Sequence, residues 1–106
     1  MNDLLHVGHR ERLRKRFEID LGNSMPDYEI LELLLMQFIV RKDVKPIAKE
    51  LIRRFGNVTA VFHADITELM KVKGIGYNTA INLKVIQRCT AIITSSSANS
   101  CAEFMG

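Results

Sequence analysis

Two glycines separated by one apolar residue, Gly74-Ile75-Gly76, constrain this chain more than any other feature. Helical patterns flank them, and no strand pattern precedes them, which argues against a Rossmann or P-loop turn. Glycine accepts positive φ and has no Cβ, so the turn can be tight and its backbone can approach an anion. A helix that begins near Tyr77 would place its free N–H groups and its positive dipole end beside the turn. The pattern therefore predicts two helices joined by a hairpin that can bind phosphate.

The residues around this turn favour nucleic-acid phosphate as the anion. The amides of the two glycines and of Ile75 are the predicted donors, and two lysines raise the local potential. Because such contacts carry no base information, the predicted binding is not sequence-specific. The predicted DNA-binding residues of this segment are Lys71, Lys73, Gly74, Ile75, Gly76, Asn78 and Thr79. A tight helix–helix connection with no ligand is the alternative interpretation, since a glycine turn also serves that purpose.

A second, degenerate copy of this unit precedes it. When the chain is shifted along itself so that Ala48 falls on Ala80, Leu51 falls on Leu83, and further apolar positions of the preceding helices also coincide. We infer a degenerate helix-hairpin-helix unit at about 26–55 and an intact one at about 65–93. Non-glycine residues replace the glycine turn in the first copy, so its amides are not expected to contact phosphate. Its side chains can still supply positive charge, and the predicted DNA-binding residues there are Arg41, Lys42 and Lys45.

Helical periodicity accounts for most of the chain. The segment Val44–Phe55 is strongly amphipathic, whereas the helix that ends at about Phe38 is apolar almost all round and is predicted to be central. With 106 residues, 47% of them hydrophobic, we expect one all-α domain. This domain is predicted to occupy residues 1–93 as a small bundle of about five to six helices. Residues 94–106 are predicted to be a Ser-rich linker or a disordered tail.

Charge and cysteine content indicate which surface of the molecule is basic and in which compartment it is expected. The formal net charge is only +3, but basic clusters at Arg10–Arg16 and Arg41–Arg54 suit a molecule with one basic side. Two cysteines are too few for a disulfide scaffold, so a cytoplasmic location is expected. The longest apolar run, Leu33 to Val40, is too short to cross a bilayer, and no membrane partner is predicted.

No group of residues has the pattern of a catalytic or metal site. The three histidines are scattered, and no cysteine or histidine pair has zinc-ligand spacing. We therefore predict no enzymatic activity, no metal and no cofactor. His9, beside several arginines, is interpreted as a surface or phosphate-side residue. The acids Asp27, Glu29 and Glu32 are interpreted as charged groups on a helix face.

Five blocks of the sequence resemble the N-terminal domain of RadC-type proteins: His9–Phe17, Pro26–Leu35, Arg41–Ala48, Arg54–Gly56 and Val72–Gly76. The resemblance implies a tandem helix-hairpin-helix fold, similar to RuvA domain 2 and SAM-like domains, and a bacterial protein with a role in DNA repair. Members of this family normally carry a C-terminal JAB/MPN-type domain with a zinc-ligand pattern. This chain has no such pattern, and we expect it to be an N-terminal fragment or a truncated homologue.

Two functions stay open on the sequence. The first is the DNA-binding module described above. The second is a protein-interaction or dimerisation domain, because the apolar residues from Tyr77 to about Ile93 cover more than one stripe of their helix. A second copy of the chain or a JAB/MPN domain would then cover part of this helix.

Overall fold

The computed structural model describes the backbone of residues 2–105 and the side chains of residues 8–96. Within that range the chain is all-α, with no strand, which confirms the predicted fold class. The six helices are α1 (Asn2–Asp20), α2 (Asp27–Leu35), α3 (Lys45–Phe55), α4 (Val58–His63), α5 (Ile66–Met70) and α6 (Tyr77–Met105). None of them is long and apolar enough to cross a membrane.

Helix α2 is the central element, as its nearly continuous apolar sequence predicts. It packs against α1, α3 and α4, and both Leu31 and Leu35 are fully buried. The turn that brings the chain from α1 to α2 depends on Gly22, which has a φ of +82°. A Cβ at this position would lie 2.6 Å from Ile30 and 2.8 Å from Phe17, so only glycine fits between these side chains.

The two predicted copies show matching features in the structure. Helix α3 begins at Lys45 and helix α6 at Tyr77, which are the two positions that the alignment of the copies superimposes. Four small or branched apolar residues at equivalent positions of the two helices have no exposed surface: Ala48, Ala80, Leu51 and Leu83. The N–H of each alanine donates to the carbonyl four residues earlier, at 2.9 Å in α3 and 3.0 Å in α6. The copies differ before the turn, where α2 ends at Leu35 and α5 continues to the equivalent of residue 38.

The last helix is longer than the sequence pattern predicts. The expected end at about Ile93 is wrong, because α6 continues through the Ser-rich segment to Met105. No glycine or proline occurs between residues 77 and 105, so nothing in the local sequence stops the helix. Side chains from Arg88 to Ser96 are all exposed, so this part of α6 extends beyond the packed body of the domain. That residues 94–106 act as a linker stays a prediction.

Candidate nucleic-acid interface

The α5–α6 turn, residues 71–76, uses its first glycine for packing inside the domain. Gly74 has a φ of +97°, a region that favours glycine. A Cβ here would lie only 2.6 Å from Cδ1 of Ile47 on α3. The second turn therefore rests directly on the second helix of the first copy. Gly74 is required by this packing and by its backbone conformation, without any ligand.

The second glycine has a different role. The φ of Gly76 is not in the positive range, and a Cβ at this position would meet no atom within 4 Å. Its N–H has no hydrogen-bond acceptor among the residues that the structure describes. The lack of a side chain thus serves no contact within the described chain, but it leaves the main chain of an exposed residue accessible from outside.

The residue between the glycines is not available to a ligand. Ile75 is 4% exposed, and its N–H donates to the carbonyl of Val72 at 3.0 Å. The prediction that the Ile75 amide contacts phosphate is therefore wrong, because the turn itself uses this donor. The side chain of Ile75 instead belongs to the hydrophobic core.

The first turn of α6 supplies further main-chain donors. A helix leaves its first N–H groups without intrahelical acceptors, and here these are the N–H groups of Tyr77, Asn78 and Thr79. The first helical bond is made by Ala80, whose N–H donates to the carbonyl of Gly76 at 3.0 Å. Asn78 is exposed, whereas Thr79 is only 9% exposed. Of these two residues, only Asn78 therefore has a side chain that is open to a ligand.

The two lysines of the turn have different environments. Nζ of Lys71 donates to Oε1 of Glu68 at 2.8 Å, and this hydrogen bond lowers the pKa of the Glu68 carboxyl below its usual value. Both side chains are exposed, so the pair is a weak one that a phosphate group can displace. Lys73 is exposed and has no carboxylate partner among the described side chains. Of the two lysines, Lys73 is therefore the one whose charge is fully available to a ligand.

A surface groove joins the α5–α6 turn to the first turn, residues 36–44, which connects α2 to α3. It lies beside the contact of Gly74 with Ile47, and both turns contribute a lysine to it. The carboxylates of Asp43 and Glu50 also reach the groove. Oε2 of Glu50 pairs with the guanidinium of Arg53, with an N–O distance of 2.6 Å. Arg41 and Lys45 do not line it; Arg41 is exposed and Lys45 is half-buried. The groove is lined by Lys42, Asp43, Pro46, Ile47, Glu50, Lys73 and Gly74.

The start of α3 differs from the start of α6, because it carries its own carboxylate. Oδ1 of Asp43 accepts a hydrogen bond of 3.1 Å from the N–H of Lys45, the first residue of α3. A carboxylate thus occupies the start of this helix, where a phosphate would otherwise bind. That the amides of the first copy do not contact phosphate stays a prediction.

Arg10 holds the first turn in place, a role that sequence reasoning missed. Its guanidinium on α1 donates to the carbonyl oxygens of Met36 at 2.8 Å, Ile39 at 2.7 Å and Lys42 at 3.0 Å. Among the described residues, no main-chain N–H outside the helices donates to any of these three carbonyl oxygens, so the turn depends on this side chain to satisfy them. The signal in the sequence was a glycine-free turn whose carbonyls need a donor from elsewhere.

A second contact between α1 and α2 corrects two interpretations. Glu32 is completely buried rather than on a solvated face, and Nε2 of His9 lies 2.6 Å from its Oε2. His9 is therefore a half-buried partner of this carboxylate and not a surface residue. Oε1 of Glu32 has no hydrogen-bond partner within the described part of the chain. A buried carboxylate needs a hydrogen-bond partner, and His9 provides one for Oε2. This pair attaches α1 to the centre of the domain.

Comparison with known proteins gives the family. The sequence profile of the UPF0758 N-terminal family matches residues 5–81. The chain is 42% identical over 93 residues to the UPF0758 protein FN0909 of Fusobacterium nucleatum subsp. nucleatum. This alignment covers 88% of the present chain and 40% of that protein, so the chain spans less than half the length of this relative. No solved structure matches the chain.

UPF0758 is the family of the RadC-type proteins, so the resemblance seen in the five sequence blocks is confirmed. The match begins within α1, whose residues brace the first turn, and ends within α6 just beyond the glycine turn. It therefore includes both turns and the groove between them. The chain belongs to the UPF0758 family, and residues 5–81 are its N-terminal domain.

Proposed function

We propose that this domain binds DNA without sequence specificity, through phosphate contacts at the α5–α6 turn. The observation that carries the proposal is Gly76. Neither its φ nor its surroundings require glycine, and its N–H has no acceptor among the described residues. A residue without a side chain at this position lets another backbone approach the free N–H groups at the start of α6.

The charge around the turn supports the same proposal. Lys73 pairs with no described carboxylate, Lys71 is held only by an exposed ion pair, and Lys42 reaches the same groove from the first turn. Arg41 and Lys45 add positive charge near the first turn without lining the groove. A few phosphates are within reach of such a site. Binding is therefore expected to be weak and to fall steeply with salt, with a slope of about −0.9 per phosphate neutralised.

The arrangement of helices supports a tandem helix-hairpin-helix domain, related to RuvA domain 2 and SAM-like domains. Each proposed unit pairs two helices through a turn, and both second helices bury an alanine and a leucine at equivalent positions. In this proposal only the second unit contacts phosphate with its main chain, while the first supports it through Ile47 and supplies Lys42. A role in DNA repair in the bacterial cytoplasm, beside a JAB/MPN-type domain, would follow for the longer proteins of the family.

The test is a titration of DNA at several salt concentrations with two variants. In the Gly76→Val variant a side chain covers the free amides, and the affinity should fall about tenfold or more, as expected for the loss of charge-assisted hydrogen bonds. In the Lys73→Glu variant the affinity should fall and the salt slope should become shallower by about 0.9. Neither variant should change the unfolding midpoint much, because both side chains point into open space or solvent.

Lys15→Glu is the matched control, since Lys15 is an exposed lysine on α1 outside the groove. It makes the same change in net charge as Lys73→Glu. If the wild-type chain does not bind DNA at low salt, or if Lys15→Glu and Lys73→Glu weaken binding equally, the proposed site is wrong.

A second candidate function rests on a different surface. Three large apolar side chains of α6 are more than half exposed: Val85 at 53%, Ile92 at 54% and Ile93 at 62%. Exposed apolar groups on one helix are typical of a surface that docks a protein. Dimerisation, or docking of a C-terminal JAB/MPN-type domain, would cover them. Because α6 begins at the glycine turn and these residues lie farther along it, the two functions do not exclude each other.

A further inference from the structure

The surface around the glycine turn includes an aromatic side chain with no partner in the described part of the chain. Tyr77 directly follows Gly76 and is 60% exposed. The other tyrosine, Tyr28, is half-buried, and Nζ of Lys49 lies 5.2 Å from the centre of its ring. Among the described side chains, Tyr77 has neither a hydrogen bond nor a cation of this kind. A large aromatic surface is thus left in water beside the proposed phosphate site.

We propose that Tyr77 stacks on an unpaired base, and that the preferred ligand of this domain is therefore single-stranded DNA. This inference rests on the proposed function, because the phosphate contacts at the turn would place a nucleotide within reach of the ring. Every base has a π-face, so stacking on tyrosine adds affinity without sequence preference. In a duplex the bases are already paired and stacked, and the ring could contact only the sugar edge.

The number of anion sites supports a single strand independently of the tyrosine. A duplex presents two phosphate backbones, and two equivalent hairpins could contact both. In this domain Asp43 accepts a hydrogen bond from the first N–H of α3 with its own carboxylate, so of the two second helices only α6, at the α5–α6 turn, begins without a carboxylate on its first N–H. One such turn can follow only one strand.

The groove has the same character. Its lining includes two apolar residues, Pro46 and Ile47, and the carboxylates of Asp43 and Glu50 also reach it. Acidic groups would repel a phosphate backbone inside the groove, whereas apolar side chains suit a sugar or a base. The groove therefore extends the surface of the protein that binds one strand, and it does not provide a site for a second strand.

The composition of the chain makes the test direct. It contains two tyrosines and no tryptophan, so a Tyr28→Phe variant has Tyr77 as its only strongly fluorescent side chain. The probes are an oligothymidine of about ten nucleotides, a length typical for one small domain, and a blunt duplex of the same length. At low salt the tyrosine fluorescence should be quenched in a saturable way by the oligothymidine and much less by the duplex.

Substitution of Tyr77 measures the preference. Tyr77→Ala should lower the affinity for oligothymidine about 5- to 100-fold, as expected for one stacked base, and change the affinity for duplex less than about twofold. Tyr77→Phe should retain the wild-type preference, because stacking needs no hydroxyl. Circular dichroism of each variant checks that the helices are intact.

Two results would overturn the inference and can be told apart. The stacking role is wrong if both probes bind without a change in tyrosine fluorescence. It is also wrong if Tyr77→Ala lowers the affinity for the oligothymidine and for the duplex equally. In either case the proposed phosphate site stands. If neither probe binds at low salt, the proposed function fails together with the inference.

Discussion

At the scale of single residues, two glycines one position apart have opposite roles. Gly74 is fixed by the interior of the domain, through a φ of +97° and the contact with Ile47. Gly76 is not fixed by anything that the structure describes. The sequence predicts a tight turn from both glycines together, but it does not reveal which one serves the fold. That distinction depends on Ile47, which belongs to a different helix and is distant in the sequence.

This difference gives a prediction about stability. Gly74→Ala should lower the free energy of unfolding by about 1–3 kcal/mol, because alanine is strained at positive φ and its Cβ would push against Ile47. Gly76→Ala should change it by less than about 0.5 kcal/mol, since the position is open. Urea unfolding followed by circular dichroism measures both. Equal stabilities of the two variants would contradict this account of the turn.

At the scale of helices and turns, the two proposed copies reach a similar arrangement by different means. The second turn closes with a glycine and a bond within its own backbone, from the Ile75 N–H to the Val72 carbonyl. The first turn has neither, and Arg10 of α1 holds its carbonyl oxygens instead. Helix α1 therefore belongs to the proposed binding unit, because it determines the position of Lys42.

We expect substitution of Arg10 to loosen the first turn. Arg10→Met keeps much of the length of the side chain but removes the donors to three carbonyl oxygens. The free energy of unfolding should fall by about 2 kcal/mol or more, since these bonds involve a charged group. The amide hydrogens of Lys45, Ile47 and Ala48 should exchange faster as the start of α3 becomes less ordered.

Arg14→Met is the control for this change. Arg14 lies one turn farther along α1, is exposed, and makes no hydrogen bond or ion pair among the described side chains. Its substitution should leave both stability and exchange nearly unchanged. A result in which Arg10→Met is as stable as Arg14→Met would show that the turn holds its shape without the guanidinium.

At the scale of the whole molecule, the domain has a packed body and a helix that extends beyond it. The exposed side chains of Ile92 and Ile93 lie on this extension, and that of Val85 lies just before it.

If these three side chains form a docking surface between two molecules, the chain should associate as its concentration rises. Light scattering over a wide concentration range measures this, and the double variant Ile92→Ser with Ile93→Ser should shift the average mass towards the monomer. A chain that stays monomeric throughout would remove the basis for dimerisation.

Features that depend on neighbouring residues could be predicted from the sequence, whereas contacts between residues far apart in the chain could not. The amphipathic pattern of α3 and the start of α6 are local features, and both are confirmed by the helix bounds. The contact of Glu32 with His9 and the carbonyl contacts of Arg10 join different helices and turns, which no local pattern can indicate. The Ser-rich end of α6 has the composition of a linker, but it contains no residue that stops a helix.

The contact between Gly74 and Ile47 also bears on whether the two proposed units can fold separately. Neither unit packs completely by itself, because the turn at Gly74 in the second unit packs against the side chain of Ile47 in the first. Severing the connection in the segment 57–64 should therefore yield two pieces that do not fold when separated. Each of the two proposed units would then supply part of the surface on which the other completes its packing.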